Sequence, residues 1–417
     1  MPEHTGCGVH AVPQLTQFAA YAIFLASYLV FAIGKFPGTK IDRPGMAIIG
    51  AVLMFTFGVI GPSSALRSID FPTLVLLFSM MLLVGCLRLA GFFDWITELA
   101  VLRLKPHHLL PTVIFLTGAL SAFFVNDIIC LVMVPFVLAA TRRMGVRPVP
   151  YLLAVATASN IGSVATITGN PQNMLIGSFS GIPYREFLLR LGPVAIVGLL
   201  VDWLVLWMVC VRSGGRDPAT EVTPAAHVEA GRLVKPGVVI AAVLIGFLAG
   251  VSPALVAAVG AAMMLITRTR EPRQIYDEVD WGILVFFVGL FLIVGGAEHA
   301  GLMEHLRFFT RSANLERPAL FTVVVAGLSN LVSNVPAVML LKSLVPQFAD
   351  PHRGWLLLAM ASTLAGNLTI TGSVANIIVV ERARGEAQIS FGEYFRAGLP
   401  VTLLTLAFGW FWLSRVG

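Results

Sequence analysis

The sequence contains two matching polar segments, each set inside an apolar stretch. ASNIGSVATITGNPQN (158–173) aligns with ASTLAGNLTITGSVAN (361–376) at an offset of 203, with seven identities in sixteen positions. Both segments carry helix breakers, Gly169-Asn170-Pro171 in the first and Gly372-Ser373 in the second. Proline lacks a backbone donor and disfavours helical geometry in the residue before it. Each segment is therefore predicted to interrupt a helix.

An interrupted helix offers ion-binding groups without charged side chains. A new helix that starts at Pro171 leaves backbone N–H groups free, and these attract an anion together with the helix dipole. Unwound carbonyl groups at the opposite break coordinate Na⁺ or another small cation. We therefore expect the substrate at Thr168, Gly169, Asn170, Thr371, Gly372 and Ser373. The expected coupling-ion residues in the same segments are Asn160, Thr166, Asn173, Thr369 and Asn376.

Two long apolar stretches add further polar groups near their middles. SAFFVNDIICLVMVP (121–135) carries Asn126 and Asp127, and LSNLVSNVPAVMLLKSLVP (328–346) carries Asn334. Each is predicted to form a re-entrant helical hairpin whose tip approaches the broken helix of its own half. Asn126 and Asn334 are assigned to the substrate. Asp127 is assigned to the coupling ion, because a carboxylate within a membrane is costly and usually functional.

Other interpretations of these polar residues stay open. Asn, Ser and Thr also form ordinary hydrogen bonds between membrane helices, although duplication beside helix breakers favours a site. Asp202 fits either a proton relay or helix pairing. Lys342 is explained by snorkelling to the interface, and Arg88 and Glu298 by solvated helix ends at equivalent positions of the repeat.

The elements that must position these groups are membrane helices. Of the 417 residues 57% are apolar and 12% are charged, about half of the roughly 25% typical of soluble domains. The mean hydropathy is +0.86. The fold class is therefore all-α and integral to the membrane. Apolar runs predict spans near 17–34, 45–60, 72–88, 150–178, 186–211, 236–250, 252–268, 280–297, 354–380 and 391–414.

The chain divides into two repeats joined by a polar linker. The expected parts are a tail (1–16), a first repeat (17–211) with hairpin 109–141 and broken helix 150–178, a linker (212–235), and a second repeat (236–417) with hairpin 318–346 and broken helix 354–380. Five crossings per repeat is an odd number, so the second repeat enters from the opposite face. Most of the 28 basic residues fall in loops on one side, which predicts both termini outside the cytoplasm in the inner (plasma) membrane.

Several function classes are disfavoured by the residues. The net charge of +6 is spread over loops, so nucleic acid is not an expected partner. His299, Glu304 and His305 match no zinc spacing, and no phosphate loop or nucleophile motif occurs in a usable context. We expect no enzyme activity, no cofactor and no metal beyond a possible Na⁺. No sequence resembles the selectivity filter of a channel.

These motifs resemble the ion transporter superfamily of arsenite permeases, NhaD-type Na⁺/H⁺ antiporters and divalent anion:sodium symporters, with its citrate-transporter-like domain. The broken-helix segment SNIGSVATITGNPQN and the two hairpins carry the resemblance. The Asn126-Asp127 tip and the segments AGLMEHL and SFGEYFRAG are most similar to the arsenite permease branch. The resemblance implies a homodimer with a scaffold and a mobile transport domain that moves like an elevator.

The expected function is ion-coupled secondary-active transport of a small oxyanion across the lipid bilayer. Inverted repeats with interrupted helices are the architecture of secondary transporters. Candidate substrates are arsenite or antimonite, sulfate, and di- or tricarboxylates, with Na⁺ or H⁺ as the coupling ion. Two alternatives are a Na⁺/H⁺ antiporter without an anion substrate, and a membrane receptor or assembly scaffold that transports nothing.

Overall fold

The chain folds into α-helices. The structure is a computed structural model that describes residues 14–36, 38–96, 106–211, 233–266, 271–302, 304–306, 308 and 314–416. Within these ranges no β-strand is found, and an isolated antiparallel bridge joins Lys35 and Asp42. The expected all-α membrane fold is confirmed. Most of the predicted tail (1–16) and linker (212–235) lie outside the described residues.

The chain divides into two compact units, of which the smaller comprises Met1–Ile69 and Val285–Ser312. Its helices are α1 (Gln14–Ile33), α2 (Arg43–Thr56), α3 (Pro62–Ser68) and the greater part of the later helix Trp281–His299. The Asp42 side chain caps α2 by accepting from the Gly45 backbone N–H at 2.9 Å. Glycines let these helices approach closely, since a Cβ on Gly289 would overlap the backbone of Ala47.

The larger unit comprises Asp70–Leu284 and Ala313–Gly417, and it holds every predicted site residue. Asp70 caps its first helix by accepting from the Thr73 backbone N–H at 3.1 Å. The helices that follow in the first half of the chain are α4 (Phe71–Leu89), α5 (Pro106–Phe123), α6 (Asn126–Met144), α7 (Val149–Ser163), α8 (Pro171–Ser180) and α9 (Tyr184–Leu206), which continues as a π-helical turn (Trp207–Val211).

The second half of the chain repeats this order of long, paired and broken helices. Its helices are α10 (Val234–Leu248), α11 (Pro253–Leu265), α12 (Pro272–Tyr276), α13 (Trp281–His299, which runs into the smaller unit), α14 (Pro318–Val332), α15 (Asn334–Leu341), α16 (Pro351–Leu364), α17 (Val374–Ala383) and α18 (Phe391–Val416). Single 3₁₀ turns lie at Val345–Gln347, Ala365–Asn367 and Ile370–Gly372.

Five of the described helices are long and apolar enough to cross a bilayer. They are Gln14–Ile33, Phe71–Leu89, Tyr184–Cys210, Trp281–His299 and Phe391–Val416. The runs predicted as spans at 45–60, 236–250 and 252–268 form shorter helices of 14, 15 and 13 residues. The last two are short because Gly250 takes a left-handed backbone and Pro253 starts a new helix at once.

Each stretch predicted as a hairpin is a pair of helices with a short turn. In the first, α5 ends at Phe123 and α6 begins at Asn126, and the two helices pack together. In the second, α14 ends at Val332 and α15 begins at Asn334. The reversal is made at Ser333, whose φ of 76° lies in the left-handed region that few non-glycine residues adopt.

Both helices predicted to be broken are interrupted in the structure. Between α7 and α8 the chain leaves helical geometry over residues 164–170. Between α16 and α17 it passes through two 3₁₀ turns over residues 365–373. The first break lies where the sequence places it, because α8 begins at Pro171. The predicted site residues lie in or next to these two breaks and the two hairpin tips.

Candidate functional site

The first break ends in a side-chain cap. Asn170 adopts extended backbone geometry, and its side-chain oxygen accepts from the Asn173 backbone N–H at 2.9 Å. This is the usual role of an asparagine before a helix, and Pro171 occupies the following position. One of the free N–H groups of α8 is therefore satisfied by the protein itself. The sequence had assigned that N–H to an anion.

In each break an asparagine side chain donates hydrogen bonds to two backbone oxygens, and these asparagines occupy equivalent positions of the two repeated segments. Asn173 Nδ2 donates to the backbone oxygens of Ser163 and Thr166, both at 3.0 Å. The equivalent bonds in the second break are displaced by 203 residues: they run from Asn376 Nδ2 to Gly366 O at 2.7 Å and to Thr369 O at 3.0 Å. The sequence duplication is thus also a duplication of hydrogen bonds.

The tip of the first hairpin contacts the first break. The Asn126 backbone N–H donates to the Gly169 carbonyl at 3.0 Å, and Asn126 Nδ2 donates to Asn160 Oδ1 at 3.1 Å. Asp127 is the next residue of α6 and is 9% exposed. The Thr166 hydroxyl donates to the Ala122 carbonyl at the end of α5.

The second hairpin contacts the second break through a different residue. Asn330 Nδ2, one turn before the tip, donates to the Ala365 carbonyl at 2.8 Å. Thr369 Oγ1 donates to Asn330 Oδ1 at 3.4 Å. Asn334 lies at the tip, buried, with its amide nitrogen near Gly366. The sequence had not singled out Asn330.

Asn160 joins the two halves. Its Nδ2 donates to Asn367 Oδ1 at 2.8 Å and to Asn376 Oδ1 at 3.0 Å. Its Oδ1 accepts from the Ser373 hydroxyl at 3.0 Å, in addition to the bond from Asn126. The side chain of Asn160 therefore contacts the first hairpin, the second break and α17 at once. We call Asn126, Asn160, Asn367, Ser373 and Asn376 the amide cluster.

A second set of contacts between the halves lies beside the amide cluster. Asn170 Nδ2 donates to Thr363 Oγ1 at 3.2 Å and to Ser163 Oγ at 2.9 Å. Gln172 Nε2 also donates to Thr363 Oγ1 at 3.2 Å. All four of these side chains are buried. The predicted residues Asn160, Asn170, Ser373 and Asn376 are thus brought together by the fold.

Two predicted substrate residues lie apart from this cluster. Thr168 is 0% exposed, and its hydroxyl is 2.9 Å from the Tyr184 hydroxyl and 3.4 Å from the Phe123 carbonyl. Thr371, its equivalent, is exposed, and its hydroxyl lies 3.5 Å from Thr369 Oγ1. The fold thus places Thr168 against Tyr184 of α9 and leaves Thr371 exposed, so the two equivalent threonines have different surroundings.

Both break glycines have packing reasons for being glycine. A Cβ on Gly169 would lie 2.3 Å from the Ser163 carbonyl oxygen. A Cβ on Gly372 would lie 2.9 Å from the Gly366 carbonyl and 2.8 Å from Asn330 Oδ1. Each glycine therefore permits the chain to fold back on its own break. The Gly169 carbonyl is already used by Asn126.

The buried polar side chains of the described residues are mostly neutral. Among the described residues the buried polar side chains include two carboxylates, Asp127 and Asp202, and no Lys or Arg. Three buried amide oxygens have no hydrogen-bond partner in the same ranges: Oδ1 of Asn126, Asn173 and Asn334. No group of three or more His, Cys, Asp or Glu side chains in the described ranges could hold a metal ion.

A cavity of about 360 Å³ lies beside the first break. Ile167 of the break, Met174 of α8 and Tyr184 of α9 line it on one side. Thr73 of α4 and Ser252, just before α11, also line it. It contains no member of the amide cluster. Tyr184 therefore both lines this cavity and contacts the first break through Thr168.

Comparison with known proteins places the chain in a transporter family. Residues 28–365 match the family described as citrate transporter (CitMHS). The chain belongs to this family. It is therefore a membrane transporter, and the resemblance to the ion transporter superfamily is confirmed.

Curated relatives of this citrate transporter family member cover nearly its whole length. A silicon efflux transporter of Oryza sativa subsp. japonica is 30% identical, over 94% of this chain and 95% of its own. A 46 kDa membrane protein of Mycobacterium leprae is 28% identical, over 93% and 96%. A transporter named arsB from Dictyostelium discoideum is 25% identical, over 93% and 90%.

Two solved structures share the fold. The YdaH transporter of Alcanivorax borkumensis superposes with a TM-score of 0.58 and 15% identity, over 97% of this chain and 98% of its own. MtrF of Neisseria gonorrhoeae, described among antimetabolite efflux pumps, gives a TM-score of 0.63 and 11% identity, over 98% and 96%. At these identities the likeness establishes the membrane transporter fold alone.

Proposed function

We propose that this protein is an ion-coupled secondary-active transporter of small oxyanions of the arsenite and silicate type. The substrate would bind at the amide cluster, between the two breaks. The supporting observation is that Asn160 bonds at once to the first hairpin and to Asn367, Ser373 and Asn376 of the second half. A ligand that enters there would replace hydrogen bonds that link the two halves.

The substrate class follows from the charge of the buried groups. A multiply charged anion such as citrate would need cationic partners, and the described buried residues include no Lys or Arg. Arsenite and silicate are weak acids, largely uncharged near neutral pH, with hydroxyl groups that donate and accept. Amide side chains also offer both donors and acceptors. The names of the rice and Dictyostelium relatives support this choice, and the family description makes citrate the competitor to test.

The coupling ion would bind at the tips of the hairpins. Asp127 supplies the carboxylate, and Oδ1 of Asn126, Asn173 and Asn334 are buried acceptors without a partner among the described residues. Oxygen ligands beside broken helices are how transporters of this architecture hold Na⁺, and a carboxyl can carry H⁺ instead. Thr166 and Thr369 bond to the hairpins, so they would position these groups rather than bind the ion.

The arrangement in the membrane is part of the same proposal. The halves 17–211 and 236–417 would be inverted repeats, with both termini outside the cytoplasm in the plasma membrane. The protein would act as a homodimer and move its substrate by an elevator-like displacement. The matched Asn173 and Asn376 bonds support a duplicated unit. Family resemblance supports the dimer and the displacement.

Flux measurements on the full-length protein in liposomes test this function. Arsenite, silicate, sulfate and citrate would be offered separately, each with an imposed Na⁺ gradient and with an imposed pH gradient. We expect arsenite or silicate flux that follows one of the two gradients. Na⁺-driven H⁺ movement without flux of any of these solutes would favour an antiporter instead. No flux under any gradient would favour a receptor or scaffold.

Replacing Asn160 tests the location of the site. Asn160→Ala removes hydrogen bonds to four partners, and we expect arsenite flux to fall at least about tenfold, which corresponds to roughly 1.4 kcal/mol. Thr141→Val is the matched control, because this buried hydroxyl bonds only to carbonyls of its own helix α6. Equal flux in the two variants would place the substrate elsewhere.

A further inference from the structure

Asp202 is a buried carboxyl that lies outside the amide cluster. It lies near the C-terminal end of α9, four residues before Leu206, is 0% exposed, and belongs to a helix that packs against α7 and α18. Its Oδ2 lies 2.9 Å from the Thr157 hydroxyl. Its Oδ1 has no hydrogen-bond partner among the described residues. A side chain of this kind is expensive to bury, so its protonation state matters.

Counting protons at Thr157 indicates which state the structure accommodates. Thr157 Oγ1 lies 2.9 Å from the Leu153 carbonyl as well as 2.9 Å from Asp202 Oδ2. A hydroxyl has one proton and donates to one of these oxygens at a time. When the Thr157 hydroxyl donates its proton to the Leu153 carbonyl, its contact with Asp202 is a hydrogen bond only if the Asp202 carboxyl is protonated and acts as the donor. The protonated carboxyl therefore satisfies both contacts, and the ionised form does not.

Among the described residues, no Lys or Arg side chain forms an ion pair with Asp202. The titratable groups that interact with it electrostatically are Tyr394 from α18 and Cys210 from the π-helical turn. Glu393 and Arg396 of α18 act on Cys210. Within the described ranges, α7 contributes the Thr157 hydroxyl, and no Lys or Arg is buried beside it.

One residue connects Asp202 to the site between the breaks. The Thr157 carbonyl accepts from Asn367 Nδ2 at 3.3 Å, and Asn367 Oδ1 accepts from Asn160 Nδ2 at 2.8 Å. Thr157 thus contacts Asp202 with its side chain and the amide cluster with its backbone. A ligand that displaces Asn367 would change the support of Thr157, and with it the hydrogen bond of the carboxyl.

We propose that Asp202 is a proton-binding site, separate from Asp127, whose occupancy is linked through Thr157 to the contact between the two breaks. In the conformation described here Asp202 carries the proton. When substrate rearranges Asn367, the carboxyl O–H bond breaks, the proton passes to a water molecule as hydronium, and a carboxylate remains. This role deepens the proposed function, because it assigns H⁺ movement to a residue that does not contact the substrate.

Infrared difference spectroscopy of the full-length protein in lipid, without substrate, tests the protonation directly. A protonated carboxyl gives a C=O stretching band that an ionised one lacks. We expect this band in the wild type and in Asp127→Asn, and its loss in Asp202→Asn. Thr157→Val keeps the carboxyl and should move the frequency of the band, since its hydrogen-bond partner is removed. A band unchanged in Asp202→Asn, or an unmoved frequency in Thr157→Val, would overturn the proposal.

The link to transport is measured with a pH-sensitive dye inside liposomes. Arsenite flux by the wild type should be accompanied by proton movement, and flux by Asp202→Asn should not. Equal proton movement per arsenite in both proteins would overturn the link. If the wild type moves neither arsenite, silicate nor citrate, the proposed function fails, while the infrared band still decides whether Asp202 holds a proton.

Discussion

The two broken helices share their internal hydrogen bonds but differ in what surrounds them. In both, an asparagine donates to two backbone oxygens of the break, and the two sets of atoms correspond at an offset of 203 residues. Around the first break every residue from Val164 to Asn170 is buried. In the second, Leu368, Thr369 and Ile370 are half-buried and Thr371 is exposed.

The caps of the two breaks show the same difference. Asn170 uses its side-chain oxygen on the N-terminus of its own helix, and Pro171 fixes the next residue. Ser373 makes no side-chain cap and no proline follows it. Its hydroxyl bonds instead to Asn160 of the other half. The helix cap of the first break is therefore supplied within its own half, whereas the hydroxyl at the equivalent position of the second break bonds across to the other half.

This comparison indicates how one motif serves two roles. We expect the first break, which the first hairpin and α9 enclose, to keep its conformation, because moving it would break the hydrogen bonds of buried polar groups. The second break has an exposed residue and no side-chain cap on its helix, so it can change its contacts at a lower cost in free energy. We infer that the first break positions Asn160, and that the second break rearranges when a ligand enters.

The largest effect is expected where the first break packs most tightly. Gly162 corresponds to Ala365 of the second break, yet a Cβ at Gly162 would lie within 2.6 Å of three backbone atoms of Gly118. We expect Gly162→Ala to destabilise the fold by about 3 kcal/mol or more, as an overpacked core does. The yield of monodisperse protein and its melting temperature measure this.

The comparison variant at the second break is Gly366→Ala, at the position equivalent to Ser163, where a Cβ would lie 3.1 Å from Ser373 Cβ and 3.4 Å or more from the other nearest atoms. We expect it to express and melt close to the wild type. If both variants melt alike, the two breaks are packed equally, and the proposed difference between them is wrong.

Labelling compares the exposure of the breaks directly. Cysteine placed at Thr371 should react with a water-soluble maleimide at least about tenfold faster than cysteine placed at Thr168, because thiol reactivity follows exposure. Both variants are made in a protein whose natural cysteines are replaced. Similar rates at the two positions would mean that the first break opens as readily as the second.

The hairpin tips differ in charge, and this difference can be removed. Asp127 has the apolar Val335 at the corresponding place after the tip asparagine of the second hairpin. Asp127→Asn keeps the shape and removes the carboxylate, so arsenite flux should respond several-fold less to an imposed Na⁺ or pH gradient. Val335→Thr, a change of similar size at the other tip, is the control. An unchanged gradient response in Asp127→Asn would remove this carboxylate from coupling.

The smallest effect concerns the hydroxyl pair that seals the first break. Tyr184→Phe removes the 2.9 Å contact with Thr168 and should lower stability by about 1 kcal/mol. Thr371→Val, at the equivalent and exposed position, should change stability by less than about 0.5 kcal/mol. Melting temperatures measured side by side make the comparison. A larger loss in Thr371→Val would contradict the assignment of exposure.

The sequence was sufficient for the features that depend on local backbone chemistry. Gly169-Asn170-Pro171 predicts the start of α8 at Pro171, where the structure has it. The long interrupted stretches predict hairpins with tips near Asn126-Asp127 and Ser333-Asn334, and the structure has paired helices that turn at residues 124–125 and at Ser333. The duplicated segments led to Asn160, Asn170, Ser373 and Asn376. The family resemblance followed from the same motifs.

The features that sequence reasoning missed depend on tertiary contacts. Asn367 links the halves, but its equivalent in the first repeat is Val164, so a search for duplicated polar residues passes over it. Thr168 was assigned to the substrate as part of the duplicated break, and its contact with Tyr184, sixteen residues away on α9, is not visible in that motif. The capping bond of Asn170 could have been foreseen, since asparagine before Pro171 is a common N-cap.

The account depends most on the substrate lying between the two breaks at the amide cluster. Crystals of the full-length protein soaked with arsenite, measured at the arsenic absorption edge, would locate arsenic by its anomalous scattering. We predict a peak within hydrogen-bond distance of Asn160, Asn367 and Ser373. A peak in the cavity beside Tyr184 and Met174 instead, with the amide cluster unchanged, would contradict the account.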